Sequence, residues 1–234
     1  MIILHEKLEK EAIEISKSLN DVYGFDTQLI DINMDGLFTA IPEFNGFHAG
    51  LTENLKTALE KFNGRAVLIL TNRDLYHQKN YKDEDWIFGV NHSEPYEHIS
   101  VVSNARMKRC DDSRLSQEIV VPFERYIKRL KALSIHEIGH DVAKKASHYQ
   151  QAKWVNIPKK YELPLGLHCT DNSCVMYEVV DINSPSKEEG YLQLGDEKKY
   201  DAGLDDVLER IHSQWFCKKC LDAIGIGGIG EKYK

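Results

Sequence analysis

No apolar run in the 234 residues approaches the ~20 needed to cross a bilayer, so no membrane span is expected. The opening residues, Met1-Ile2-Ile3-Leu4-His5-Glu6, have neither a basic leader nor a long apolar core, and a cytoplasmic location is the expectation. Positive charge is not in excess: 30 Lys and Arg against 37 Asp and Glu leave a net charge of −7, which argues against a nucleic-acid partner. Internal repeats and low-complexity linkers are also missing. Cysteine is scarce, at five residues, and an odd count without a secretory leader argues against a disulfide framework. What is present is ordinary: 42% hydrophobic and 29% charged residues, with a mean hydropathy of −0.45. A chain of this length can bury a full core as one globular domain.

The first half alternates helical and strand patterns. Leu8, Ala12, Ile15 and Leu19 share a helical stripe over residues 6–19, and residues 25–33 alternate apolar with polar like a half-buried strand. Asp35-Gly36 marks a turn, residues 51–62 read as helix, and Asn63-Gly64 ends them. Ala66-Val67-Leu68-Ile69-Leu70 is continuous enough for a strand covered on both faces, and two more strands fall at 86–90 and 99–102. From about residue 117 one long helix carries Phe123, Tyr126, Ile127, Leu130 and Leu133 at helical period, with Pro122 suited to its first turn. Beyond it the pattern predicts a loop-like region around Pro158 and Pro164, a cysteine-rich turn at 168–176, a polar stretch at 181–203 and a last helix over 204–216.

The strongest chemical signal lies in the long helix: His136-Glu137-Ile138-Gly139-His140. Histidines four apart lie ~40° apart on one face, so both imidazoles can bind the same zinc. Glu137 sits beside them, placed to take a proton from a water at the metal. A catalytic zinc needs a third protein ligand, and His148, Glu162 and His168 are the candidates. On a continuing helix His148 would lie ~12 Å further along the axis. Pro158 and Pro164 bracket Glu162 and oppose a helix there. His168 stands directly before Cys169 and is favoured, with the other two left open.

Four of the cysteines, Cys169, Cys174, Cys217 and Cys220, form two close pairs that read as ligands of a second, closed, structural zinc. Cys110 is left over and reads as a core residue.

The string His136-Glu137-x-x-His140, Gly166-x-His168-Cys169-x4-Cys174-x-Met176 and Cys217-x-x-Cys220 resembles the archaemetzincins, zinc peptidases with a second, cysteine-bound zinc. The resemblance implies His136, His140 and His168 as catalytic-zinc ligands with Glu137 as general base. It also implies Cys169, Cys174, Cys217 and Cys220 as the second zinc site, and Met176 as the methionine of the turn beneath the catalytic metal. The chain departs from the family pattern HExxHxxGxxH. Ala143 stands in place of its glycine, Ala146 in place of its third histidine, and residues 141–167 separate the helix pair from His168. Forty residues lie between Met176 and Cys217, where the family has far fewer, and eight acids against two bases at 188–209 make that insertion read as a solvated surface element.

The expectation is therefore an α/β fold of metzincin-like type: a mixed sheet flanked by helices, a long active-site helix and a cysteine-zinc C-terminal part. It would be a single catalytic domain over 1–234, with an α/β N-terminal part at 1–140 and a C-terminal part at 141–234. The expected activity is peptide hydrolysis by a zinc-activated water with two zinc ions per chain, acting on a peptide or protein substrate. A strand edge from 85–103 is a candidate to align that substrate. The competing expectation is an inactive two-zinc scaffold of the same fold. Tyr149 and Tyr177 are candidate oxyanion hydroxyls, and nine Lys and Arg against two acids at 125–160 suggest a basic cleft. The Gly-rich segment 225–230 reads as a flexible tail, because no helix follows to hold a phosphate.

Overall fold

The computed structural model describes residues 1–42, 46–50, 52–62, 64–76, 86–92, 98–108, 121–143, 146–211 and 214–225. Cys110 and the segment 226–230 lie outside them. The chain divides into two compact units, one of residues 1–107 and 133–141 and one of residues 108–132 and 142–227.

In chain order the first unit holds β1 (Ile2–His5), α1 (Glu9–Tyr23), β2 (Gln28–Asp31), β3 (Ala40–Ile41), β4 (Gly46–His48) and α2 (Glu53–Glu60). It continues with β5 (Val67–Thr71), β6 (Leu75–Tyr76), β7 (Trp86–Ile87), β8 (Gly89–His92) and β9 (Ile99–Ser103). Its main sheet has the order β2-β1-β5-β9-β8, parallel throughout except for β8, which runs antiparallel along β9 at the edge. A smaller sheet has the order β3-β4-β6-β7. The segment read as one strand at 86–90 is thus two, in different sheets.

Burial explains the order. On one face Ile2, Leu4, Val67, Ile69, Ile99 and Val101 pack with Leu55 and Leu59 of α2. The alternate residues Ile3, Leu68, Leu70 and Val102 are equally buried, so the central strands are covered twice, as their continuous apolar runs require. Ile2-Ile3-Leu4-His5, near the chain start and outside the strands expected from the sequence, is a central strand. Thr52 caps α2, its Oγ1 accepting the Leu55 N–H at 3.1 Å.

Next comes α3 (Phe123–Val142), whose residues 133–141 belong to the first unit and whose earlier turns belong to the second. The buried Tyr23 of α1 donates its hydroxyl to the Ile135 carbonyl at 2.7 Å, fixing α3 one residue before the first histidine.

The second unit adds β10 (Gln150–Asn156), β11 (Tyr161–His168), β12 (Gly190–Leu194), β13 (Glu197–Lys199), α4 (Leu204–Arg210) and α5 (Lys218–Ile224). The four strands form an antiparallel sheet, β11-β10-β12-β13. Two expectations are corrected here. Residues around Pro158 and Pro164 are not loop-like but a hairpin, with Pro164 tolerated because β11 is an edge strand and the register shifts opposite it at Ala152/Lys153. The polar stretch 181–203 is not only solvated surface. It supplies β12 and β13, and β12 buries Leu192 and Leu194 against the sheet. The last helix also stops early, at Arg210, and α5 follows separately.

Acids of that region pair inward as well. Asp205 is buried, and its carboxylate receives Arg129 Nε at 2.7 Å and Nη2 at 2.6 Å, and also Arg125. Arg129 is itself fully buried. Burial alone would raise the Asp205 pKa; the hydrogen bonds from Arg129 and Arg125 outweigh it and hold the carboxyl below its ordinary value. Among the described residues no helix is long and apolar enough to cross a membrane.

Candidate metal centres

His136 and His140 stand on successive turns of α3, as the four-residue spacing demands, with Nε2 atoms 3.1 Å apart. Two imidazoles on one tetrahedral zinc would be ~3.3 Å apart, so the pair fits a shared ion. His168 ends β11 of the second unit, buried. α3 stops at Val142 although Ala143 replaces the glycine, and the chain turns there, with Ala146 N–H donating to the Ala143 carbonyl. Gly166, at φ +95°, takes a backbone conformation on β11 that a side chain would strain.

The rival ligands go elsewhere. Glu162 is exposed on β11, where its carboxylate accepts from Lys153 Nζ at 2.8 Å. His148 lies on a turn, not on a continued helix, and joins the cysteines.

Glu137 is 7% exposed, and a Cβ added at Gly89 of β8 would fall 2.7 Å from its Oε1. The carboxylate thus sits against the edge strand of the main sheet, over the one residue type that leaves it room. One contact carried no sequence signal: Glu178 Oε2 lies 2.5 Å from His168 Nε2. A carboxylate on one ring nitrogen of a histidine fixes its tautomer and ring orientation. Glu178 follows Met176 by two residues and belongs to no motif, so only its place in the fold reveals it.

The four cysteines come from two stretches. Cys169 and Cys174 flank a tight turn held by the Cys169 N–H to the Met176 carbonyl, Cys217 caps α5, and Cys220 lies in its first turn. Met176 is fully buried. None of the four is in a disulfide. Sγ atoms are 3.7 Å apart for Cys169 and Cys217 and 3.5 Å for Cys174 and Cys220, too long for a bond and near the ~3.8 Å edge of thiolates around zinc. The Cys174 thiol raises the pKa of Cys169, Cys220 offsets part of this, and burial adds to the rise. Such buried thiols ionise readily only beside a cation, so the donor set fits a metal. His148 Nε2 is 3.2 Å from Cys220 Sγ and the Tyr149 hydroxyl 3.6 Å from it. Burial, then the charge of Lys219, lowers the His148 pKa.

Neither tyrosine suggested for an oxyanion is placed for that role. Tyr149 is turned to the cysteines, and buried Tyr177 donates to Asp201 Oδ1 at 2.9 Å. The basic stretch at 125–160 is also partly consumed, with Arg125 and Arg129 on Asp205 and Lys128 on the Leu208 carbonyl.

No protein-family model matches the chain, and no curated protein matches it. Solved structures do. A zinc-dependent peptidase from Methanocorpusculum labreanum is similar at 20% identity and a TM-score of 0.58, over 96% of this chain and 100% of that one. An archaemetzincin from Archaeoglobus fulgidus, complexed with malonate, matches at 17% identity and 0.52, over 95% and 99%. An archaemetzincin from Methanopyrus kandleri matches at 18% and 0.50, over 95% and 92%. The fold of this chain is that of the archaemetzincins.

Proposed function

We propose that the chain is a zinc metallopeptidase, one catalytic domain that hydrolyses peptide bonds in a peptide or protein substrate. The observation that carries this is the pair of His136 and His140 on α3, with Nε2 atoms 3.1 Å apart and the Glu137 carboxylate on the same helix; His168 would be the third ligand. Three imidazoles would hold the ion and leave a position open. Zinc bound there supplies a Lewis acid that acidifies water and polarises a carbonyl.

The protein's own groups do the rest. Glu137 accepts the proton of the attacking water and returns it to the leaving amine. Glu178 holds the His168 ring in one orientation through the contact at Nε2. Among the described residues β8 pairs with β9 alone, which leaves its other edge to align an extended substrate next to Glu137. A second zinc, in the cysteine cluster, would be structural, tying the turn after His168 to α5.

Glu137→Gln tests the reading, since it keeps size and hydrogen bonding but cannot accept the proton. Zinc content and fold should be unchanged, with turnover of a mixed peptide library down roughly 10²–10⁴-fold. Equal cleavage by variant and wild type would remove Glu137 from the mechanism. No cleavage by either, with both metals bound, would favour the scaffold.

A further inference from the structure

The four thiols of the cysteine cluster differ in what surrounds them. Cys169, Cys174 and Cys220 are fully buried, and each faces a donor of the protein. The Asp171 N–H donates to Cys169 Sγ at 3.4 Å, and the Cys217 N–H donates to Cys174. Cys220 Sγ has His148 Nε2 at 3.2 Å and the Tyr149 hydroxyl at 3.6 Å. Cys217 has no such cover. It is only half-buried, and its side chain takes no cap hydrogen bond from α5. Among the described residues no N–H or O–H reaches its sulfur. We propose that Cys217 is a modification site, the thiolate of the cluster that a hydroperoxide oxidises, and that its oxidation discharges the second metal. This rests on the reading of the cluster as a metal site with all four cysteines as ligands.

A thiolate on a metal keeps a lone pair that attacks soft electrophiles. Each N–H or O–H donated to the sulfur ties up that electron density, and burial keeps the electrophile away. Cys217 escapes both restraints. The residues after it are Lys218, which pairs with Asp222 at 3.0 Å, and Lys219, whose charge is felt at His148 and keeps the neighbourhood electropositive. The step balances with the peroxide as the two-electron oxidant. The Cys217 sulfur attacks the terminal peroxide oxygen; an S–O bond forms as the O–O bond breaks, and the departing alkoxide takes a proton from water. The Cys169 thiolate, with its Sγ 3.7 Å from that of Cys217, then attacks the sulfenic acid, a disulfide forms and hydroxide leaves. Two of the four ligands are consumed, so the metal is no longer held. The new bond keeps the turn after β11 tied to α5 in the place of the ion.

Hydrogen peroxide added to the zinc-loaded full chain, with dimedone to trap sulfenic acid, tests this. Trypsin cuts after Lys218 and Lys219 and so separates Cys217 from Cys220 in the peptide map. Dimedone should appear on Cys217 about tenfold faster than on Cys169, Cys174 or Cys220, the rate equivalent of one hydrogen bond to a charged sulfur. Without dimedone, one zinc per chain should reach a metallochromic dye in step with a Cys169–Cys217 disulfide. Tyr149→Phe, which removes one donor, should speed labelling of Cys220 and leave that of Cys217 unchanged. Labelling spread evenly over the four, or fastest on a buried one, overturns the inference and leaves the metal site standing, as does zinc retained after Cys217 is oxidised. Cobalt(II) loading checks the metal reading separately: no thiolate-to-cobalt absorption band sinks that reading, and the inference with it. The wild-type peptide map decides even if the variant fails to fold.

Discussion

The two donor clusters are built in opposite ways. His136 and His140 owe their 3.1 Å approach to a single helix, whose geometry is set locally and braced by Tyr23 on the Ile135 carbonyl. The cysteine cluster has no such frame. Its cysteines come from the turn after β11 and the start of α5, and nothing local brings residue 169 to residue 217. A helix pair is pre-formed before any metal arrives; a cluster gathered from distant turns needs the metal as part of its fold. Loss of metal should therefore silence the first site and loosen the second.

The largest effect expected from this contrast comes from Cys217→Ser/Cys220→Ser. A metal at a thousandfold excess over its Kd stabilises by about 4 kcal/mol. At about 2–4 °C per kcal/mol for a chain of this size, calorimetry should show a Tm lower by about 10 °C, together with loss of one zinc per chain. An unchanged Tm would mean that the cluster folds without its ion.

Gly89→Ala probes the helix-framed site instead. The new methyl would meet Glu137 Oε1 at 2.7 Å and the Val101 carbonyl at 2.9 Å, so carboxylate or strand must move. Peptide turnover should fall by about tenfold, the rate cost of roughly 1.4 kcal/mol in the barrier, with zinc content unchanged. Full activity in this variant would place the working position of Glu137 away from β8.

The smallest effect concerns acid. The pKa of Asp205 is lowered in the folded chain, so its stabilising pairing is complete above the ordinary carboxylate pKa of about 4 and fades as pH falls through the lower folded value. Thermal melts from pH 6 to pH 3 should show Asp205→Asn already destabilised at pH 6 and less sensitive to acid than wild type. Parallel curves would assign the acid response to other carboxylates.

The same contrast decided what could be read from the residues alone. Helical period and fixed spacing displayed α3, the histidine pair and both cysteine pairs, and the continuous run at 66–70 displayed β5. The hairpin of β10 and β11 stayed hidden because prolines signal loop, and only the knowledge that β11 is an edge strand makes Pro164 compatible with it. His148 was weighed against a helix that was expected to continue; the chain turns instead. Glu178 has no pattern to announce it, since its role lies in a contact with a residue ten positions away in sequence.

Pro164 has a consequence outside the sites. β11 carries Leu163, Leu165 and Leu167, the last 37% exposed, on a strand whose described partner is β10 alone. An open edge on an apolar strand is a template on which another chain can add a strand. Proline offers no N–H to such a visitor, and the positive φ of Gly166 twists the line of carbonyls two residues on. Pro164, which hides this strand in the sequence, is thus also a residue that keeps it from recruiting a neighbour.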